Sequence, residues 1–343
     1  MRIKKEVRKI VASVLAFLMV VSLIPVNSLM TKANAASKTT FEGGKTVEDG
    51  TWKGWTWNVF GSSTDVTKAF ATDTGNGGVT LEVTGDKGKI NGSASDQGLN
   101  TFLYELDKSY DFTITAQAKV DTLAANAQAA FGLTIRDNVG THGNTAKLTA
   151  DKNNFAFVGG YGNQAASGHG NAGYKTTALA HTRLGESPEV GGTYDLAIQK
   201  VGDSVKLYFN GEVAADDLIT DNAMYVGLFA ARNAKVTFNN VKLAYTQDSS
   251  SVKVTTNVTA PKKTTYCAGN TYEDVDLTGF KATVSVDGKE REITASDCVV
   301  DMSNDPFAEV TEAGKLNLLY LGQTIEVPIT VIKEVVSDMY IEY

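Results

Sequence analysis

The chain has 343 residues, with 32 Lys and Arg against 39 Asp and Glu and a formal net charge of −7. An acidic surface repels nucleic acid and anionic lipid, and no basic cluster offsets it, so no nucleic-acid partner is expected. Gly, Thr, Asn, Asp and Val are abundant while only 5 residues are Pro, a composition typical of many short strands joined by tight turns.

The first 35 residues have the pattern of a secretory signal peptide. Lys and Arg are concentrated in residues 1–9, an uncharged apolar run extends from Ile10 to Ile24, and Ala33-Asn34-Ala35 supplies the small residues of a cleavage site. The run ends before Pro25, short of the roughly 20 residues that a membrane-spanning helix needs. We therefore expect cleavage after Ala35, a secreted or cell-surface location, and no membrane insertion of the mature chain. Loss of six basic residues and one acidic residue would leave 26 against 38, a net charge of −12.

Alternation of apolar and polar residues predicts a series of strands after this leader. In Asp111–Val120 every second residue from Phe112 onward is apolar. Further strands are predicted at Thr80–Val83, Ala130–Arg136, Asn154–Val158, Tyr194–Lys200, Ser204–Phe209, Met224–Ala230 and Lys235–Ala244. Turn signals at residues 200–204 and at Asn210-Gly211 indicate hairpins. Two antiparallel sheets, each burying one face, accommodate such a set of strands.

A second, smaller β unit is predicted after a linker. Residues 247–251 (QDSSS) are polar and lack any pattern, as linkers do. Strands are predicted at Lys253–Val258, Phe280–Val286, Glu290–Ile293, Lys315–Tyr320 and Thr324–Ile332. Residues 334–343 are apolar and aromatic and match the start of a truncated further module, which leaves open whether the chain is a fragment of a larger protein.

Residues 252–333 resemble the bacterial Ig-like domains of secreted and surface proteins of Gram-positive bacteria. Thr265-Tyr266, Asp276-Leu277-Thr278-Gly279 and Val286-Asp287-Gly288 carry the resemblance. It implies a small β-sandwich that acts as a spacer or adhesion module. Cys267 and Cys298 depart from the family pattern, and outside the cell they are the candidates for a disulfide, although the sequence cannot show whether their Cα atoms lie within about 7 Å.

Residues 41–246 resemble the concanavalin-like jelly-roll modules, laminin-G-like or glucanase-like, that accompany pectate lyases. The resemblance runs from about residue 52 and is carried by Trp57-Asn58-Val59-Phe60-Gly61, Phe131-Gly132-Leu133 with Arg136-Asp137, and Tyr225-Val226-Gly227-Leu228-Phe229. It implies an all-β jelly-roll sandwich. It says less about function, because this fold hosts lectins, hydrolases, lyases and spacers alike.

Catalytic patterns of the jelly-roll enzymes are incomplete in this sequence. Glu105 and Asp107 alternate as the hydrolase carboxylates do, but Ser109 and Tyr110 occupy the place of the third carboxylate. A lyase needs a Tyr, His or Lys base, and such residues are present, yet the Gln-x-His and Tyr-x-Lys-x-Gly strands of alginate lyases are not. A polysaccharide lyase or glycoside hydrolase acting in the jelly-roll groove is therefore the alternative rather than the preferred function.

A ligand site is predicted around Gly159–Glu186, the longest irregular stretch. Its candidate ligand-binding residues are Tyr161, His169, Tyr174, His181 and Arg183. Arg136 is added because it faces away from the core, where it could pair with a uronate carboxylate. A structural calcium ion is a further hypothesis, with oxygens from the loops Asp73–Gly78 and Asp86–Asp96.

The preferred interpretation is a secreted, non-catalytic carbohydrate-binding or adhesion protein for pectin or another acidic polysaccharide. The Ig-like domain would be its spacer. Catalytic modules of a larger secreted protein are the other expected partners.

Overall fold

The structure, a computed structural model, describes residues 38–61, 64–90, 97–125, 128–146, 155–161, 170–175, 180–182, 188–219 and 225–333. For residues 170–175, 180–182, 215–219 and 256–257 it describes the backbone alone. Within these ranges there is no α-helix, and helical geometry is confined to single 3-10 turns at Val66–Lys68, Ser249–Ser251, Tyr272–Asp274 and Ala295–Asp297. The described residues accordingly contain no helix with the length and apolarity needed to cross a membrane.

Among the described residues, the first fifteen strands form a large sandwich of two antiparallel sheets. They are β1 (Thr39–Thr40), β2 (Trp55–Phe60), β3 (Ala69–Asp73), β4 (Val79–Val83), β5 (Leu99–Glu105), β6 (Asp111–Leu123), β7 (Ala130–Arg136), β8 (Phe155–Tyr161), β9 (Gly170–Lys175), β10 (Ala180–Thr182), β11 (Thr193–Val201), β12 (Ser204–Phe209), β13 (Glu212–Ile219), β14 (Tyr225–Ala231) and β15 (Ala234–Thr246). The eight-stranded sheet has the order β1-β3-β4-β15-β6-β11-β12-β13, and the seven-stranded sheet the order β10-β9-β8-β7-β14-β5-β2. Many neighbours are remote in sequence, as in a jelly roll, and the predicted all-β jelly-roll sandwich is confirmed.

The core of the large sandwich follows from the alternation along its strands. In β7 the residues Phe131, Leu133 and Ile135 point between the two sheets and are fully buried. Trp55 stacks on Phe102 with ring centroids 5.3 Å apart, so aromatic rings from β2 and β5 join the same core. Burial of each large apolar side chain contributes roughly 1.5–3 kcal/mol to folding.

The last seven strands form a small sandwich. They are β16 (Lys253–Thr259), β17 (Thr265–Cys267), β18 (Lys281–Val286), β19 (Lys289–Thr294), β20 (Val299–Asp301), β21 (Thr311–Tyr320) and β22 (Gln323–Ile332). Sheet β16-β18-β19 packs on sheet β17-β22-β21-β20, in which β17 and β22 run parallel. Val284, Leu316 and Val327 are among the fully buried residues between the sheets. A small β-sandwich is thus observed, and its membership of the Ig-like family stays a prediction.

The small sandwich packs directly on the outer face of the eight-stranded sheet. The backbone N–H of Leu321 donates to Thr113 Oγ1 at 3.0 Å, and Thr115 Oγ1 donates to the carbonyl of Ser296 at 2.7 Å. A small apolar cluster completes the contact: Ala197, Tyr208 and Val299.

The predicted linker, residues 247–251, is a hydrogen-bonded joint. The N–H of Ser249 donates to Asp111 Oδ2 at 3.1 Å, and Gln323 Nε2 donates to the carbonyl of Ser249 at 2.9 Å. Asp248 accepts from the N–H and the hydroxyl of Ser250, which closes the turn. The backbone of Ser249 therefore connects the two sandwiches, while the side chain of Asp248 stabilises the turn within the linker.

Two strands lie where the sequence indicates the longest loop. Strand β9 pairs with β8 and with β10, so residues 170–175 and 180–182 extend the seven-stranded sheet. The prediction of one irregular stretch over Gly159–Glu186 is wrong at these positions. Glycine and alanine dominate β9, and without larger side chains the period-two pattern of a strand cannot be recognised.

Candidate functional site

Arg136 lies on the predicted face of β7, but that face is closed. The side chain is completely buried, with its guanidinium carbon 4.9 Å from the ring centre of Phe155 and 5.7 Å from that of Phe60. Nη2 donates to Gln97 Oε1 at 2.6 Å, and Nε donates to the carbonyl of Asn138 at 3.2 Å. Burial lowers the pKa of Arg136 to about 10, while the charge of Asp137 opposes this shift. The predicted role of Arg136 as a uronate ligand is wrong.

An apolar layer on the outside of the seven-stranded sheet explains why Arg136 is enclosed. Phe155, Phe157 and Phe229 are fully buried there, and Val139 from the segment after β7 packs against them. A side chain at Gly140 would meet Phe60, so this segment lies directly over the layer. Aromatic side chains on alternate positions of β8 and β14 thus form a second core instead of an open groove.

The other predicted ligand residues do not form a described site. Tyr161 is half-buried against Phe157, and burial raises the pKa of its hydroxyl. In the backbone pairing of β9 and β10, Tyr174 lies opposite Ala180 and His181 opposite Gly173. His169 and Arg183 lie outside the described residues. The clustering predicted for these residues stays a prediction.

The carboxylates of Glu105 and Asp107 lie at the end of β5, where Asp107 stabilises a turn. Asp107 Oδ1 accepts from the N–H of Ser109 at 2.9 Å and from its hydroxyl at 2.7 Å, and these bonds lower the pKa of Asp107. Leu106 between Glu105 and Asp107 is buried. A carboxylate held ionised in a local turn is poorly suited to act as a general acid.

The loops proposed for calcium are only partly described. Asp73 Oδ1 accepts from the N–H of Gly75 at 2.7 Å, and Thr74 Oγ1 donates to the carbonyl of Gly78 at 3.0 Å. Residues 91–96 of the second loop lie outside the described part. Where the structure describes side chains, no three of His, Cys, Asp or Glu come together. Calcium therefore stays a prediction.

The two cysteines do not form the predicted disulfide. Cys267 and Cys298 are free thiols, the second of them buried. Cys267 ends β17 and Cys298 precedes β20, and β22 and β21 lie between these strands. Strands about 4.8 Å apart put the two cysteines roughly 14 Å from each other, beyond the reach of a disulfide. Burial, with the charge of Asp297, raises the pKa of Cys298 to about 12.

A cleft of about 1080 Å³ lies between the two sandwiches. One wall consists of residues 189–197 and 208–212 of the large sandwich, and the other of residues from 272 to 302 of the small sandwich. Pockets for small ligands typically measure roughly 300–1,000 Å³, so this cleft has room for more than one sugar-sized ring. The hydrogen bonds of Thr115 and the joint at Ser249 hold its two walls together.

Each wall of the cleft presents a tyrosine that is held in place. The ring of Tyr194 packs 5.4 Å from that of Phe209, and its hydroxyl accepts from the N–H of Glu189 at 2.7 Å. On the opposite wall, the hydroxyl of Tyr272 donates to the carbonyl of Asn304 at 2.8 Å. Burial, followed by the charges of Asp301 and Asp305, raises the pKa of Tyr272 to about 12. Both rings are half-buried and held by these contacts, so binding a ligand costs little side-chain conformational entropy at either tyrosine.

Carboxylates surround these tyrosines. The acidic residues of the lining are Glu189, Asp195, Glu212 and Glu273. Asp195 accepts from Gln117 Nε2 at 3.2 Å, whereas Glu212 and Glu273 are exposed, one on each wall. Among the described residues that line the cleft there is no Lys, Arg or His. The site is therefore strongly negative.

Sequence patterns alone did not identify this cleft. Its walls come from strands more than 60 positions apart, and an inter-module contact leaves no periodic signal. The sequence predicts a turn at Asn210-Gly211, but no sequence pattern indicates that Gly211 approaches Met302 of the small sandwich. The local sequence signal for the cleft is Tyr272, an aromatic residue in a polar run, which is half-buried in the structure.

Comparison with known sequences gives one relative to consider. No family model matches the chain. Pectate lyase L of Thermoclostridium stercorarium is 29% identical over 280 residues, which are 80% of this chain and 21% of that protein. The chain thus spans about a fifth of the length of the curated relative that it matches.

Comparison with solved structures gives low scores. The carbohydrate-binding module CBM66 from Bacillus subtilis has 17% identity and a TM-score of 0.28 over 59% of this chain and 98% of that one. Alginate lyase A1-II′ has 11% identity and a TM-score of 0.36 over 56% and 94% of the respective chains. Lectin UEA-II has 12% identity and a TM-score of 0.35 over 60% and 97%. Scores at this level support no argument about function.

Proposed function

We propose that this chain is a non-catalytic carbohydrate-binding part of a secreted protein and that it binds an extracellular polysaccharide in the cleft between its two sandwiches. Plant cell-wall material, pectin included, is the proposed source of the ligand. In this proposal the small sandwich supplies half of the binding site and is more than a spacer.

The pairing of fixed aromatic rings with polar acceptors carries this proposal. Sugar rings offer an apolar face to aromatic side chains and hydroxyl groups to planar acceptors. The cleft provides Tyr194 and Tyr272 for the first and Asn210 and Glu212 for the second. Because the tyrosine hydroxyls already bond to the backbone, the rings are preorganised for contact.

The sequence comparison supports the biological setting of the proposal. The relative is a pectate lyase in which the matched region is only 21% of the whole, so this chain corresponds to a minor part of a much longer protein. The leader of residues 1–35, which lies outside the described residues, supports export. We propose catalytic modules of a larger secreted protein as partners.

Lyase activity is the second candidate, because the relative is itself a lyase. In the cleft, Tyr272 is poorly suited to act as the base, because a pKa of about 12 leaves its hydroxyl protonated at neutral pH. Tyr174 and His181, in neighbouring strands, are the residues left to test for that reaction.

Native affinity electrophoresis of the chain without residues 1–35 tests both candidates. At least one of three gels, containing pectin, alginate or β-glucan, should retard the protein, and the same polysaccharides in solution should gain no ultraviolet absorbance from unsaturated products. Tyr194→Ala should weaken binding about tenfold, because one lost stacking contact costs roughly 1.4 kcal/mol. The matched control is Tyr110→Ala, outside the cleft, which should leave retardation unchanged.

Two results would contradict the proposal. One is a wild-type protein that no polysaccharide retards. The other is formation of unsaturated product that Tyr174→Phe or His181→Ala abolishes, since the chain would then be a lyase.

A further inference from the structure

We infer that the cleft selects a neutral, hydroxyl-rich glycan and rejects polyuronates such as polygalacturonate and alginate. This inference rests on the proposed function and specifies the class of its ligand. The sequence favours an acidic polysaccharide, with Arg136 as a candidate partner of its carboxylates. The present inference replaces that ligand class with a neutral one.

The first step concerns Arg136, for which the sequence predicts a role as the partner of a uronate carboxylate. Arg136 has no exposed surface, and its guanidinium is enclosed by Phe60, Phe155 and Gln97. A uronate carboxylate could reach it only by displacing the apolar layer outside the seven-stranded sheet. The described structure therefore offers no path from Arg136 to a polysaccharide.

The second step is the charge of the cleft. Glu189, Asp195, Glu212 and Glu273 line it, and the nearby cation Lys119, which pairs in register with Thr193, is not among the lining residues. Like charges repel one another, and the repulsion is stronger at a protein surface than in bulk water. Each uronate unit carries one negative charge, so every unit that enters the cleft meets this repulsion.

The third step is what carboxylates do for a neutral sugar. A carboxylate accepts hydrogen bonds from two hydroxyl groups, and a hydrogen bond to a charged acceptor is stronger than one to a neutral acceptor. Glu212 on one wall and Glu273 on the other have exposed side chains available for such bonds. The same groups that exclude a polyuronate therefore bind the hydroxyls of a neutral chain.

The test compares β-glucan with polygalacturonate and alginate in affinity gels that contain EDTA, so that calcium cannot bridge carboxylates. The wild type should be retarded by β-glucan and not by either polyuronate. The double variant Glu212→Gln, Glu273→Gln should lose affinity for β-glucan about tenfold or more, while its retardation by polygalacturonate should rise. Glu309→Gln, an exposed carboxylate outside the cleft, is the matched control and should change neither result.

Each remaining outcome overturns a specific claim. Retardation of the wild type by polygalacturonate but not by β-glucan would overturn the inference and leave polysaccharide binding intact. Unchanged β-glucan binding in the double variant would place the neutral ligand elsewhere and overturn the assignment to the cleft. A protein that none of the three polysaccharides retards would instead overturn the proposed function itself.

Discussion

At the scale of single residues, Arg136 is the most deeply buried charged side chain in the described structure. A buried cation is tolerated only when hydrogen bonds and polarisable neighbours replace water. Gln97 and the carbonyl of Asn138 supply the bonds, and the rings of Phe60 and Phe155 supply the neighbours. Even with its pKa lowered to about 10, the guanidinium stays charged at neutral pH.

Replacing Arg136 with Ala should destabilise the protein by about 3–5 kcal/mol, because the change leaves a cavity between two rings and removes a hydrogen bond from buried Gln97. Urea denaturation followed by fluorescence measures the loss. Lys235→Ala, which removes a partly exposed ion pair with Glu82, is the control and should cost about 0–1 kcal/mol. A stable Arg136→Ala variant that had lost affinity for polygalacturonate would instead restore Arg136 as a ligand.

Arg136 also shows how far a sequence can define a site. The alternation in β7 correctly predicts that Arg136 faces away from Phe131, Leu133 and Ile135. Whether that face is open depends on Val139 and Gly140 folding back over it, and no local pattern encodes such a contact. The strand pattern therefore predicts on which face of the sheet a side chain lies, but it does not predict whether that face is exposed to solvent.

At the scale of elements, facing glycines allow β7 and β8 to approach closely. Gly132 and Gly159 are register partners, with φ angles of 153° and 150°. A Cβ on Gly132 would lie 2.0 Å from the carbonyl oxygen of Val158, and one on Gly159 2.1 Å from that of Phe131. Both positions require glycine for lack of space as well as for backbone conformation.

Gly132→Ala should therefore destabilise the protein by about 3 kcal/mol or more, since strain and a backbone clash add. Gly288→Ala is the matched control, because Gly288 has a φ of 73° but nothing within 4 Å of the added carbon. Its cost should be about 1 kcal/mol, from strain alone. Thermal unfolding of both variants measures the difference, and equal losses would show that the close approach has no energetic role.

Strand prediction succeeded where apolar and polar residues alternate clearly, and it missed β5, Leu99–Glu105, where large side chains are present but do not alternate. Ala130–Arg136 and Ser204–Phe209 were predicted with the bounds that the structure shows. Strands β9 and β10 were missed, because Gly-rich sequence is equally typical of a loop. Edge strands such as β1 and β17 are only two or three residues long, too short to show a period.

At the scale of the whole molecule, the junction between the sandwiches should make them unfold together. Thr113 and Thr115 of β6 bond to Leu321 and Ser296 of the small sandwich, and Leu321 is fully buried. A joint with buried hydrogen bonds couples two units, because opening it leaves polar groups without partners.

Calorimetry of the wild type should accordingly give one transition, with equal calorimetric and van't Hoff enthalpies. The double variant Thr113→Val, Thr115→Val should lose about 2 kcal/mol or more of coupling and separate the transition into two. Thr80→Val, which removes a 2.9 Å contact with Thr237 within the large sandwich, should lower stability without separating it. Two transitions in the wild type would show that the sandwiches are independent.

The division of the cleft between both sandwiches has a consequence for how such chains can be recombined. When a ligand site belongs to a single module, that module can be grafted onto a new protein and keep its specificity. In the proposed site Tyr194 comes from one sandwich and Tyr272 from the other, so a graft of either one would carry half of that site. Engineering or natural shuffling that preserves binding must therefore transfer the two sandwiches, and the joint at Ser249, as a single cassette.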